Sequence, residues 1–156
     1  MTSITSKETW GNNVWFLFHS LAEKIDENKF LTIKHLIIET TKLICSCLPC
    51  PDCSKDASEI LNKMNLNNML NNKNDIIKFY YDFHNHINKK LKKPQYNYNH
   101  LNKYKKANFN LILNNFITIF LNQPHNPKLL TENFQRKNKV KIIVKNFKII
   151  QNAFTI

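Results

Sequence analysis

Apolar residues recur at intervals of three and four along the first half of the chain, and this spacing predicts amphipathic helices. The Leu48-Pro49 pair should end the second helix, since the residue before a proline disfavours helical geometry. Pro51 suits the first turn of the third helix, where its missing N–H has no helical partner. The four predicted helices run from Trp10 to Lys24, from Phe30 to Cys47, from Pro51 through Met64, and from about Asp75 to Lys92.

The second half is less regular. An Asn-rich loop is expected at 67–74, a short fifth helix near Leu101, and a further helix over 109–122. The β-branched residues of 139–150 are ambiguous between helix and strand. The longest apolar stretch is interrupted by asparagines and is too short to cross a bilayer, so no membrane association is expected. We therefore predict an all-α domain over 1–108 and a C-terminal extension of uncertain structure over 109–156.

The charge of the chain is strongly positive, with 23 Lys and Arg against 11 Asp and Glu. It is also uneven, because residues 83–156 hold fourteen basic side chains and a single acid, Glu132. An anionic ligand should therefore bind the second half. Gly11 is the only glycine, which excludes a P-loop or a Gly-rich dinucleotide turn. Any nucleotide must be held by helices and side chains.

All four cysteines lie within nine residues, at Cys45, Cys47, Cys50 and Cys53. A disulfide scaffold would spread its cysteines along the chain, so this cluster favours redox or metal chemistry. Cys50 and Cys53 flank the start of a predicted helix, where unpaired N–H groups stabilise a thiolate. Cys45 and Cys47 could form a strained relay disulfide, but Cys47 continues the apolar stripe of its helix, which favours two buried thiols.

Three blocks of the chain carry recognisable motifs: Trp10 to His19, Leu48 to Cys53 and Phe83 to Pro94. Together they resemble the Erv/ALR family of FAD-linked sulfhydryl oxidases, in particular the short members encoded by large double-stranded DNA viruses. Trp10 to His19 is similar to the family pattern W-G-x-x-x-W-x-x-L-H, with Phe18 in place of Leu. Leu48 to Cys53 is similar to its P-C-x-x-C block. Phe83 to Pro94 is similar to H-N-x-V-N-x-K-L-x-K-P and is the most specific of the three. Together the blocks cover about residues 8–105.

The resemblance implies a four-helix bundle plus a short fifth helix holding FAD, and Cys50 and Cys53 as the catalytic pair. It further implies a homodimer that makes disulfides in thiol-containing proteins and passes the electrons to dioxygen, giving hydrogen peroxide. A viral member would work in the host cytoplasm or in the virion. Neither nucleic acid nor a metal is expected as a ligand. The implied FAD-binding residues are Gly11, Trp15, His19, Cys53, His84, Asn85, Ile87, Asn88, Lys90, Lys93 and Tyr104.

Residue spacing supports the same wall for the cofactor. His84, Asn88 and Leu91 share one helix face, so two polar groups at core depth need a polar partner. Nearby lysines could pair with a pyrophosphate. An alternative function is a basic nucleic-acid-binding module with a cysteine metal site, in which Tyr96, Tyr98 and Tyr104 would stack on bases.

Overall fold

The computed structural model describes residues 7–156, and within this range the fold is all-α, as predicted. The only β-type pairing there is an isolated bridge between Ile25 and Phe154. Residues 1–6 of the predicted first domain lie outside the described range. The helices are α1 (Lys7–Lys24), α2 (Phe30–Cys45), α3 (Pro51–Asn62), α4 (Leu66–Met69), α5 (Lys73–Lys90), α6 (Phe109–Leu121) and α7 (Leu130–Ile150).

The core of the bundle lies where α1 and α5 meet. Phe18 of α1 and Tyr80 of α5 stack with ring centroids 4.8 Å apart, and both are buried. The Tyr80 hydroxyl is 2.7 Å from Thr41 Oγ1 on α2, so the buried phenol has a hydrogen-bond partner. This packing fixes the register of α1 against α5, and it thereby fixes the residues that line the site between them.

The predicted fifth helix is a 3₁₀ helix, Tyr98–Lys106, that packs against α1 through the buried Leu101 and Tyr104. The loop expected at 67–74 is shorter, because it overlaps α4 and the first residues of α5. The N-terminus of α4 is capped by Asn65. Asn72 caps α5 in the same way by accepting a hydrogen bond from the backbone N–H of Asp75. An asparagine-rich stretch thus contains helix caps as well as loop.

The C-terminal segment is helical, which resolves the ambiguity at 139–150. Helix α6 packs against α1, and α7 packs against both α2 and α6. Buried residues of α6 and α7 belong to the same hydrophobic cluster as those of α1, α2 and α5. Beyond α7, the backbone N–H of Asp26 donates to Ala153 O at 2.8 Å and ties the chain end to the end of α1.

None of the helices in the described part of the chain combines the length and apolar character needed to span a membrane.

Candidate active site

A disulfide joins Cys50 and Cys53 at the N-terminus of α3, with their Cα atoms 5.2 Å apart. Cys50 is the N-cap residue, and its extended backbone lets Pro51 open the helix. The Cys53 N–H donates to Cys50 Sγ at 3.2 Å, and Asp52 lies in the same first turn. When the disulfide is reduced, this N–H and the helix dipole stabilise a thiolate at Cys50.

A cavity of about 520 Å³ opens beside this disulfide, between α1, α3 and α5. Cys53 lines the cavity and Cys50 does not, so the two sulfurs face different surroundings. Gly11 also lines it, and a Cβ at that position would meet no atom within 4 Å. The other implied cofactor residues on its wall are Trp15, His84, Ile87, Asn88, Lys90, Lys93 and Tyr104.

Aromatic rings form one side of the cavity. The Trp15 and His84 rings are stacked, with centroids 4.2 Å apart and planes 9° apart. His19 lies behind them, its Nε2 2.9 Å from Nδ1 of His84. Tyr96 stacks on His84 at 4.9 Å, and Tyr104 stacks on His19 at the same distance. Flat side chains in this arrangement offer a face on which a planar ligand can stack.

Both histidines of this pair are neutral at neutral pH. Burial, the neighbouring His84 and Lys103 lower the pKa of His19 to about 3. Burial, Lys103 and Lys93 lower the pKa of His84 to about 4. Because the rings lie 2.9 Å apart through their nitrogens, one neutral ring donates and the other accepts. If both rings gained a proton, two like charges would be in contact.

This pair predicts a loss of stability on mild acidification. The folded-state pKa values lie below the unfolded value of 6.5, so the unfolded chain binds more protons between about pH 4 and 6.5. The free energy of unfolding should therefore fall as pH falls through that window. Urea unfolding at pH 6.5 and pH 5.0 measures the change. Both pH values lie above the range in which most carboxylates titrate, so the histidines dominate the difference. His84→Gln should weaken the pH dependence; an identical dependence in this variant would contradict the assignment.

The C-terminal end of α5 gives the cavity a polar and basic part. Asn88 is 8% exposed, and its side chain makes no hydrogen bond to any residue in 7–156. Lys90 pairs with Asp56 of α3 at 2.8 Å. The ammonium group of Lys93 is exposed and has no carboxylate within ion-pair distance among the described residues. A buried amide and two lysines along one helix end suit a polar, anionic ligand.

Two of the implied cofactor residues do not line the cavity. His19 reaches it only through its hydrogen bond to His84. Asn85 Oδ1 accepts a hydrogen bond from the Tyr96 N–H at 2.6 Å, and Asn85 Nδ2 donates to Tyr96 O at 3.3 Å. Asn85 therefore holds the segment after α5 in place, with the Tyr96 ring over the histidines.

The lining residues that the sequence interpretation did not name include two charged ones, Lys103 and Asp56. The Lys103 ammonium lies 5.0 Å from the Phe16 ring centroid and 5.1 Å from that of Tyr104. Its position next to Tyr104, which the family resemblance implied as a cofactor residue, was a usable signal. Asp56 lies in the segment after Cys53, where no family block extends. Its pairing with Lys90 depends on where the fold places α3 relative to the end of α5.

Cys45 and Cys47 are free thiols, and both are buried. Burial and the neighbouring Cys47 raise the pKa of Cys45. Burial raises the pKa of Cys47 to about 11, although Lys139 and Arg136 act in the opposite direction. Neither thiol is activated as a nucleophile in this environment.

A helical bundle with a C-x-x-C disulfide at a helix N-terminus, beside an aromatic and basic cavity, defines an all-α thiol–disulfide redox protein. The family model described as Erv1 / Alr family matches residues 12–109, more than half of the chain. The chain therefore belongs to the Erv1 / Alr family.

A relative from invertebrate iridescent virus 3, protein 096R, is named provisionally as an FAD-linked sulfhydryl oxidase. It is 28% identical over 86 residues, which are 55% of this chain and 58% of that protein. The chain thus matches a little more than half the length of this relative. No solved structure matches the chain.

Proposed function

We propose that this protein is an FAD-dependent thiol oxidase that makes disulfides in protein substrates and passes the electrons to dioxygen, giving hydrogen peroxide. The observation that carries the proposal is the different position of the two cysteines of the disulfide relative to the cavity. Cys53 faces the cavity, whereas Cys50 lies outside it at the helix N-terminus. One sulfur is thus placed for a cofactor and the other for a substrate thiol.

The residues of the cavity fit FAD. The stacked Trp15 and His84 rings offer an aromatic wall, and Gly11 leaves space that a side chain would fill. Asn88 presents an unpaired amide that a ring carbonyl or ribose hydroxyl would satisfy. Lys90 and Lys93 would face the pyrophosphate, in place of the glycine-rich loop that the sequence lacks. When bound, FAD supplies a two-electron acceptor that dioxygen can reoxidise.

The chain's own residues account for substrate oxidation. A substrate thiolate attacks Cys50 Sγ, the Cys50–Cys53 bond breaks, and Cys53 leaves as a thiolate at the cavity wall. A second substrate thiolate then attacks the substrate sulfur of this mixed disulfide, and Cys50 leaves as a thiolate. The Cys53 N–H, 3.2 Å from Cys50 Sγ, stabilises that leaving group. The substrate departs with a new disulfide, and the two electrons remain on the Cys50–Cys53 pair.

The resemblance to the viral members of the family also supports two further parts of the proposal. We expect a homodimer, and we expect the protein to act in a host cytoplasm or virion. Reductants oppose disulfide formation in the cytosol, so an oxidase is needed there to make disulfides.

The test of this function is the cofactor itself. The purified protein should be yellow, contain FAD and consume oxygen with dithiothreitol. His84→Ala should weaken FAD binding by about tenfold, since a buried hydrogen-bonding and stacking group is lost. Lys93→Ala should weaken it by about threefold, because the lysine is exposed. Equilibrium titration with FAD, followed by flavin fluorescence, measures both changes.

Lys89→Ala is the matched control, since Lys89 lies on the same helix and away from the cavity. It should bind FAD as the parent protein does. A colourless protein that carries stoichiometric zinc would contradict the oxidase proposal and favour the metal-binding alternative. Full FAD affinity in both His84→Ala and Lys93→Ala would place the cofactor elsewhere.

A further inference from the structure

A buried arginine from the C-terminal segment contacts the turn that leads into the redox disulfide. Arg136 of α7 is 3% exposed and lies outside the residues that the family model matches. Its Nε donates to Cys47 O at 2.9 Å, and its Nη2 donates to Leu48 O at 3.3 Å. Its Nη1 donates to Asn133 Oδ1 at 2.7 Å. The guanidinium therefore binds two consecutive carbonyls of the turn.

No carboxylate of the described chain lies within ion-pair distance of Arg136. A buried cation without a counter-charge is costly, and it persists only where its donors find acceptors. Here the acceptors are main-chain carbonyls, which an arginine can bind as a fork and a lysine cannot. The carbonyls of Cys47 and Leu48 therefore take the place of a counter-charge for Arg136.

The same turn is also held from the two neighbouring helices. On the α2 side, the Ser46 N–H donates to Lys42 O at 3.0 Å and the Cys47 N–H donates to Ile44 O at 3.1 Å. The Leu48 N–H donates to Ser54 Oγ at 2.8 Å, which closes the turn onto α3. Lys139 Nζ donates to Ser46 Oγ at 2.9 Å. Helix α7 thus supplies contacts to three successive residues, Ser46, Cys47 and Leu48, just before Pro49 and Cys50.

We propose that Arg136 is a positioning residue for the redox disulfide. It fixes the turn at 46–49, and through that turn it holds Cys50 in the N-cap position of α3, where the Cys53 N–H contacts its sulfur. The positioning role itself does not depend on the proposed function. Only its expected effect on thiol oxidation rests on that function. The C-terminal segment is in this respect part of the active-site structure.

Arg136→Met keeps the apolar stem and removes the donors. In the reduced protein, Cys50 should then spend less time at the N-cap, so its thiolate should be less stabilised. The pH profile of Cys50 alkylation by iodoacetamide, followed by mass spectrometry, should move to higher pH, and the rate at pH 7 should fall at least threefold. This measurement requires neither flavin nor oxidase activity.

In the FAD-loaded protein, the rate of flavin reduction by dithiothreitol should fall about tenfold in Arg136→Met, since small misplacements of reacting groups are costly. FAD content should stay at the parent level, because Arg136 does not line the cavity. Arg136→Lys should lie between the parent and Arg136→Met, as one amine can reach one carbonyl. Lys137→Met, an exposed neighbour on α7, removes the same charge and should change neither rate.

A parent-like alkylation profile and flavin reduction rate in a folded Arg136→Met protein would overturn the proposal. So would equal losses in Arg136→Met and Lys137→Met, since charge alone would then explain the effect. If Arg136→Met does not fold, Arg136→Lys is judged by the same two rates. A shifted alkylation profile in a protein that oxidises no thiols would support the positioning role and refute the proposed function.

Discussion

Replacing either Cys50 or Cys53 by serine should abolish thiol-driven oxygen consumption while the bundle stays folded. Each serine variant lacks the disulfide that accepts the substrate's electrons, so turnover should fall at least about 100-fold, or roughly 3 kcal/mol in barrier. Serine is well tolerated at both places, since it is a good N-cap at position 50 and Cys53 is only half-buried. An oxygen electrode with dithiothreitol measures turnover, and flavin absorbance measures FAD content.

The matched control is the double variant Cys45→Ala with Cys47→Ala. Both thiols are buried and outside the disulfide, so turnover should stay near the parent level with dithiothreitol and with a reduced protein substrate. A double variant that keeps dithiothreitol activity but loses protein-thiol activity would make the pair an electron shuttle. Residual turnover above about 10% in both serine variants would contradict Cys50–Cys53 as the catalytic pair.

The helices around the site could be predicted from the sequence because their buried faces repeat at helical intervals. Val14, Phe18 and Leu21 on α1 are buried, as their spacing indicates, and they face α5 and α6. Helix ends were harder to place. The apolar stripe carried α2 to Cys47, but the helix ends at Cys45, since the backbone turns before Pro49. An apolar stripe predicts which face of a helix is buried, whereas capping residues and prolines determine where the helix ends.

The parts of the site that the sequence did not predict are contacts between distant segments. The bond between His19 and His84 joins residues 65 positions apart, and the Arg136 contact with Cys47 spans 89 positions. The family resemblance assigned both His19 and His84 to the cofactor site. Arg136 is the only arginine of the chain. Its residue type alone does not show what it binds, because its role depends on how α7 packs behind the turn. Spacing along one helix cannot show such a contact.

Helix α7 is the clearest case of tertiary packing deciding secondary structure. Its β-branched residues suit a strand as well as a helix, and lysines interrupt the stripe. Val140, Ile143, Phe147 and Ile150 nevertheless recur at intervals of three and four, and all are buried. They bury against α2 and α6, where a helix can place them all on one face.

This packing predicts a large effect of truncation. Every family block lies before residue 109, so the sequence alone predicts that removal of 125–156 leaves the flavin site intact. The division into a 1–108 oxidase domain and a 109–156 extension is a proposal about function. The structure gives a different expectation for folding, because α7 contributes its buried side chains to the cluster that includes α1, α2 and α5.

Deleting 125–156 should therefore unfold the protein. Full burial of one large aliphatic or aromatic side chain stabilises by about 1.5–3 kcal/mol, so the four in α7 contribute about 6–12 kcal/mol. That is comparable with the whole stability of a domain of this size, about 5–15 kcal/mol. The truncated chain should lose helical circular dichroism and FAD together. Ile143→Ser, at a fully buried position, should lower the melting temperature strongly, whereas Ile149→Ser, at a position 46% exposed on the same helix, should leave it nearly unchanged. A folded, yellow 1–124 chain would show that α7 is dispensable for the bundle.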